Sequence, residues 1–172
     1  MMSGHTEILN EKKIRQKIQR IAFQIYEDNY EEQDIVLAGI APRGYIFAKR
    51  LEKYINEFAP HIQTKTVKLT VDKINPIENK TLLEEPLEVF EDKVVIVVDD
   101  VLNSGKTLIY GIRDLLNVSI KKMSTAVLID RNHKRFPIGT HYAGHKLSTT
   151  LQEHVHVKFT EEGADHDKVY LE

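Results

Sequence analysis

The chain has no cysteine and no tryptophan in its 172 residues. Without cysteine there is no disulfide framework, no thiolate metal site and no cysteine nucleophile. Proline and glycine are few, at 5 and 8, in keeping with a globule rather than a disordered or fibrous chain. No charge of one sign dominates, since 24 basic residues stand against 26 acidic ones. No overall field therefore draws the chain to nucleic acid, and any RNA affinity needs a local patch. The longest purely aliphatic run, Val94 to Val98, falls far short of the ~20 residues of a membrane helix. The opening stretch MMSGHTEILNEKKIRQKI lacks the apolar centre of a signal peptide, so the expected setting is cytoplasmic, with no membrane contact. What is present is 41% hydrophobic and 29% charged residues, and the length suits one domain over residues 1–172.

Asn10 can cap a helix that opens with Glu11, and Ile14, Ile18, Ile21 and Ile25 give it one apolar stripe. Asp34 leads into a short buried strand, Ile35 to Ala38, followed by a loop from Gly39 to Gly44. A second amphipathic helix fits from Tyr45, with Phe47, Leu51 and Ile55 on one face and Pro60 closing it. Val67, Leu69 and Val71 alternate with polar residues, as in a half-exposed strand. Residues 72–93 hold Pro76, Pro86 and many acids without a period, which predicts a long irregular excursion. Val94 to Val98 reads as a strand covered on both faces, with Asp99 to Gly105 as its exit loop. Leu108, Ile112 and Leu115 mark a third helix, and Ala126 to Ile129 another apolar strand. Val155, Val157 and Phe159 form a last strand, and the polar tail from Glu161 is expected to fray. Strands and helices in alternation predict an α/β fold with an open, mostly parallel twisted sheet flanked by helices. Ligands bind such sheets beyond the carboxyl ends of the strands.

The chemistry concentrates in Val98-Asp99-Asp100-Val101-Leu102-Asn103-Ser104-Gly105-Lys106-Thr107. A buried strand ends in two acids, and a small, hydroxyl-rich loop then opens a helix. Backbone N–H groups at a helix start, with the Ser104 and Thr107 hydroxyls, make an anion cradle. Gly105 allows close approach of the backbone. The ATP-type loop Gly-x-x-x-x-Gly-Lys-Thr does not fit, because Asp100 stands where its first glycine would be. A carboxylate there repels a triphosphate but suits sugar hydroxyls or a magnesium shell. One end of the site is made for a ribose and the other for a phosphate.

These residues resemble the 5-phosphoribosyl-1-pyrophosphate (PRPP) motif of type I phosphoribosyltransferases. ILNEKKIRQKIQRIAFQI, GIAPRGYIFAKRL and AVLIDRNHKRFPIGTHYAG are further similar to the bifunctional pyrimidine operon attenuation regulator and uracil phosphoribosyltransferase family. The resemblance implies the type I fold with a small hood, a homodimer or higher homo-oligomer, magnesium as cofactor, and PRPP and a nucleobase as ligands. It implies Asp99 and Asp100 at the ribose hydroxyls and, through water, at the metal. It implies Asn103, Ser104, Gly105, Lys106 and Thr107 at the 5-phosphate, and Ala41, Pro42, Arg43 and Gly44 at the pyrophosphate. Asp99, Asp100 and Arg43 are the implied catalytic set, and Ile129, Asp130 and Arg131 the implied base contacts. A cis Ala41-Pro42 bond is expected, since proline lowers the cis penalty to about 0.5–1 kcal/mol.

Two departures bear on substrate. Purine members carry an acid at the place of Asn103 and a lysine at that of Asp130, so a pyrimidine base, uracil first, is expected over a purine. The excursion holds Glu84, Glu85, Glu88, Glu91 and Asp92, with Lys73 and Lys80 its cations before Lys93. Such a lid would repel pyrophosphate unless its acids point away. For the regulatory half of the family, RNA would meet Lys12, Lys13, Arg15, Lys17 and Arg20 on the first helix, with Lys121-Lys122 and Lys134-Arg135. His154 and His156 share a strand face without a visible third ligand, and they, His133 and His141 read as ordinary surface or packing histidines.

Overall fold

The structure is a computed structural model that describes residues 4–172. A short strand, β1 (Thr6–Asn10), runs into α1 (Glu11–Asn29). The Asn10 side chain accepts the Lys13 amide at 3.0 Å, the expected cap. β2 (Asp34–Ile40), α2 (Arg43–Phe58) and β3 (Gln63–Thr70) follow, then the two-residue β4 (Leu82–Leu83). β5 (Val94–Leu102), α3 (Lys106–Leu115), β6 (Lys122–Asp130) and β7 (Tyr142–Lys146) complete the larger sheet. β8 (Val155–Lys158) and β9 (Lys168–Leu171) end the chain.

The six-stranded sheet has the order β4-β3-β2-β5-β6-β7, parallel throughout except for the β4 edge. The chain winds from β2 outward to β3, then returns to the other side of β2 at β5 and continues to β6 and β7. The order therefore reverses between β2 and β5, which opens a crevice at their carboxyl ends. β5 is apolar because both its faces are covered. Val94, Ile96 and Val98 pack with α1 and α2, whereas Val95 and Val97 pack with Leu108 and Leu115 of α3 and with Phe90.

The structure extends and corrects the expected boundaries. α2 starts at Arg43 rather than Tyr45, so the first loop shrinks to Ala41-Pro42. β5 runs on through both acids to Leu102. The excursion of residues 72–93 is not wholly irregular, since Leu82–Leu83 pair antiparallel with β3 and Leu87–Phe90 form a 3-10 turn that buries Phe90.

The tail is the clearest correction. It does not fray: β9 pairs with both β1 and β8 in a three-stranded antiparallel sheet, the hood. Polar composition misled because the tail is held by ion pairs. Arg50 of α2 pairs with Glu161 and Asp167, and its guanidinium lies 4.6 Å from the Phe159 ring centre. Burial alone would raise the Asp167 carboxyl, but the bonds from Arg50 and the Thr160 amide hold it below the ordinary range. The Glu161 carboxyl is likewise lowered by Arg50. Folded-state pKa values below the unfolded ones mean that this stabilisation is present above the unfolded pKa and is lost as pH falls through the folded one. Asp167→Asn should cost about 1–3 kcal/mol at pH 7, between the values for an exposed and a buried pair. The difference from wild type should shrink in strong acid. Urea unfolding at both pH values checks this.

Candidate active site

The crevice between β2 and β5 is walled by two helix starts, neither capped by a side chain. Their first-turn N–H groups have no intrahelical acceptor and carry the positive end of the helix dipole. At the α2 start the Ala41-Pro42 peptide is cis, as expected, and the Ala41 amide donates to Leu69 O at 2.8 Å. Gly44 allows α2 to sit directly on the end of β5. A Cβ there would lie 2.5 Å from Val98 O and 2.9 Å from Asp99 Cα.

The paired acids follow at once. Asp99 and Asp100 are both buried. Asp99 Oδ1 accepts the Asp100 amide at 2.9 Å, and Asp100 Oδ1 accepts the Val101 amide at 2.8 Å. Burial first, and the neighbouring Asp100 charge second, push the Asp99 carboxyl well above the usual range. Asp100 Oδ2 lies 3.5 Å from an Arg43 guanidinium nitrogen. Arg43 also pairs with Glu162 at 3.2 Å. Glu162 was not expected at the site, because it belongs to the tail that composition marks as loose.

Beyond the acids the chain turns sharply into α3. Gly105 sits at φ 87°, and a Cβ there would lie 2.4 Å from Ile138 Cγ2. Ser104 Oγ accepts the Lys106 amide at 3.2 Å. Ser104 O accepts the amides of Arg135 and Phe136, which docks this turn on the loop after β6. A small hollow of about 40 Å³ is lined by Asp99 and by the run Val101 to Leu108. Asn103, Ser104, Gly105, Lys106 and Thr107 are thus brought together as expected. A wider cleft of about 630 Å³ adjoins them, between residues 74–78 and Ser104, Lys106, Tyr110, Arg135 and Phe136. Among the acids of the excursion, Glu78 alone lines it. Glu84 receives the Lys68 amide and Glu85 pairs with Lys65, both along the sheet edge.

The three implied base contacts at the end of β6, Ile129, Asp130 and Arg131, are less open than expected. Ile129 is wholly inside the core. Asp130 accepts from the Asn132 amide and the Thr140 hydroxyl, with Lys134 at 3.8 Å. Arg131 is buried, its guanidinium tied to Thr149 Oγ1, Glu153 O and Asn103 Oδ1. A partnership 28 residues apart in sequence leaves no local spacing signal. The histidines stay ordinary: His156 pairs with Glu172 and stacks on Tyr170. No cluster of three or more metal-binding side chains occurs among the described residues.

With this sheet, the acid pair at its crevice and the tight turn into α3 in place, the phosphoribosyl transferase domain family matches residues 4–161. Solved structures that share the fold include two hypoxanthine-type enzymes. Hypoxanthine phosphoribosyltransferase of Trypanosoma cruzi aligns at TM-score 0.77 and 17% identity, covering 96% of this chain and 95% of its own. A hypoxanthine-guanine phosphoribosyltransferase of Bacillus anthracis aligns at TM-score 0.74 and 19% identity, covering 96% of each. Sequence likeness is closer to proteins called Bifunctional protein PyrR. The one from Clostridium kluyveri is 34% identical over 160 residues, 90% of both chains. That from Clostridium perfringens is 34% identical over 170 residues, 95% of this chain and 96% of its own. The chain belongs to the phosphoribosyl transferase family, in the group of these PyrR proteins.

The raised Asp99 carboxyl has a consequence for stability. A folded pKa above the unfolded one favours the protonated form, so its contribution is full below the unfolded pKa and is lost as pH rises through the folded one. Asp99→Asn removes the buried charge and keeps an oxygen for the Asp100 amide. Without ligand, this variant should melt a few degrees above wild type at pH 7, with the gap closing toward pH 4; calorimetry at the two pH values reads it. Gly105→Ala should destabilise by about 1–3 kcal/mol, from strained φ and the Ile138 clash, measured by denaturant unfolding.

Proposed function

We propose that this chain, as one phosphoribosyltransferase domain over residues 1–172, transfers the 5-phosphoribosyl group from PRPP to a pyrimidine base, with uracil the preferred acceptor. The observation that carries the reading is the abutment of the acid pair on two uncapped helix starts in one crevice. Asp99 and Asp100 hold the ribose hydroxyls. Ser104, Gly105, Lys106 and Thr107, with Asn103 at the turn's entry, hold the 5-phosphate. Ala41, Pro42, Arg43 and Gly44 hold the pyrophosphate. A magnesium ion fits this donor set. Each acid gives one oxygen to a backbone N–H and keeps the other, and magnesium commonly takes one or two carboxylates plus substrate phosphates. When bound it neutralises the pyrophosphate.

The reaction joins the base N1 to C1 of the sugar as the C1–O bond to pyrophosphate breaks, and the N1 proton leaves to solvent. Positive charge grows on the ribose, where the two carboxylates stabilise it. Negative charge grows on the pyrophosphate beside Arg43, whose release from Glu162 frees its fork for phosphate oxygens. Ile129 and Asp130 have no open side chain, so contact with the base from this stretch runs through their main chain. A homodimer in the cytoplasm is the expected form, with nucleotide salvage its role.

Protein, PRPP, magnesium and labelled uracil should yield uridine monophosphate and pyrophosphate, with hypoxanthine run alongside as the purine alternative. Asp99→Asn with Asp100→Asn should weaken PRPP binding about tenfold or more, roughly 1.4 kcal/mol. Undiminished affinity in calorimetric titration would overturn the reading.

A second reading, an RNA-binding attenuation regulator that uses the site as a nucleotide sensor, draws on α1. Burial, then Arg20 and Lys13, lower the Lys17 pKa, and burial with Lys17 and Lys13 lowers His145 on β7. This is a concentrated basic patch. By contrast, Lys121 pairs with Glu32 and Lys122 bonds Asn29. If RNA docks here, Lys13→Ala with Lys17→Ala should flatten the log-affinity against log-salt slope by about 2, read by filter binding to a pyrimidine leader RNA.

A further inference from the structure

Arg43 and Arg50 stand two helical turns apart on α2 and so share one face of it. Both take acids from the segment that joins β8 to β9 of the hood. Arg50 is matched twice, by Glu161 and by Asp167. Arg43 is shared differently. Its Nη1 lies 3.5 Å from Asp100 Oδ2 in the crevice, and its Nε lies 3.2 Å from Glu162 Oε1 and 3.3 Å from Glu162 Oε2. One guanidinium thus bridges the larger sheet and the hood.

Glu162 is not a loose surface acid. It ends the single turn Thr160–Glu162, and its Oε2 also accepts the Phe159 amide at 3.3 Å. The turn is pinned, because the Thr160 amide donates to Asp167 Oδ1 at 2.9 Å and Arg50 holds Asp167. The carboxylate is therefore presented to Arg43 from a fixed base. The pair stays within reach of solvent, with side chains 33% and 24% exposed, so a small anion can meet it.

Two carboxylates already face this one guanidinium. A pyrophosphate held at the α2 start would add further negative charge at the same fork, and one acid has to yield. Asp100 cannot withdraw, since it is buried in β5 with Oδ1 on the Val101 amide. Glu162 can, by turning its side chain while its backbone stays in place.

We propose that Glu162 is a built-in competitor for the pyrophosphate group, occupying Arg43 while the site is empty and retaking it as pyrophosphate leaves. The assignment rests on the phosphoribosyl reading and deepens it by adding a regulation of the same site. A guanidinium given up by its ligand then meets a waiting carboxylate and is not left unpaired. The same exchange lowers the affinity for pyrophosphate, which favours release of the product.

Calorimetry measures magnesium pyrophosphate and ribose 5-phosphate on wild type, Glu162→Gln and Glu161→Gln. Glutamine keeps an oxygen for the Phe159 amide and removes the charge that faces Arg43. Glu161→Gln removes an equal charge from the adjacent residue, whose partner is Arg50, and leaves the Arg43 pair in place. The quantity read is the ratio of pyrophosphate affinity to ribose 5-phosphate affinity, in which a general loosening of the fold cancels. Glu162→Gln should raise the ratio about two- to fivefold, as the strength of an exposed ion pair allows. Glu161→Gln should leave it nearly unchanged. An unchanged ratio in Glu162→Gln overturns the competition. A lowered ratio overturns it too, because the carboxylate then helps to hold pyrophosphate or its metal. An equal rise in both variants assigns the effect to the net charge of the hood and overturns the role of the contact. Ribose 5-phosphate bound by wild type with pyrophosphate bound by none of the three proteins overturns the competition but leaves the 5-phosphate cradle standing. Neither ligand bound by any of the three overturns the phosphoribosyl reading as well.

Discussion

Two neighbouring carboxylates at the buried end of an apolar strand are the constraint around which this molecule is arranged. Burying an unpaired carboxylate is unfavourable, and burying two in sequence adds their repulsion. The chain offsets this with local donors. Each acid takes a backbone N–H from the next residue, Arg43 stands 3.5 Å from Asp100, and the α2 start packs directly against Asp99. The covered parallel sheet supplies the rigidity. β5 is flanked by β2 and β6 and packed on both faces, so the acids are held in position before any ligand arrives.

The fold core was legible because its signals are local. The isoleucine stripe of α1, the aliphatic run of β5 and the Asn10 cap each show within a few residues of sequence. The tight turn from β5 into α3 was legible for the same reason: strand, acids, small loop and helix are contiguous. What escaped were associations between distant segments. β1 and β7 were not anticipated, since five residues of mixed polarity acquire strand character only from their neighbours. The tail looked unstructured because its apolar contribution is slight, Val169 and little more, while Arg50 on a distant helix secures its acids. Glu162 beside Arg43 and Arg131 beside Asn103 escaped for that same reason.

The acidic excursion shows how composition misleads about placement. Its glutamates suggested a lid hostile to pyrophosphate, yet Glu84 and Glu85 are spent along the sheet edge on the Lys68 amide and the Lys65 side chain. The stretch nearer the turn into α3 is organised by one acid, Asp72, turned back on its own segment. Asp72 accepts the amides of Ile74 and Asn75 and the Asn79 side chain, which folds the segment on itself and leaves Ile74 and Ile77 outermost.

The hood joins segments remote in sequence: Thr6 lies opposite Leu171, with β9 between β1 and β8. During synthesis the larger sheet has all of its strands once β7 has left the ribosome, whereas β1 must still wait for β9. Pairings so remote in sequence form slowly. A nascent chain would thus carry a finished core under an unfinished roof, and protease sensitivity in that interval would concentrate at β1 and in the segment after β7 rather than at the crevice.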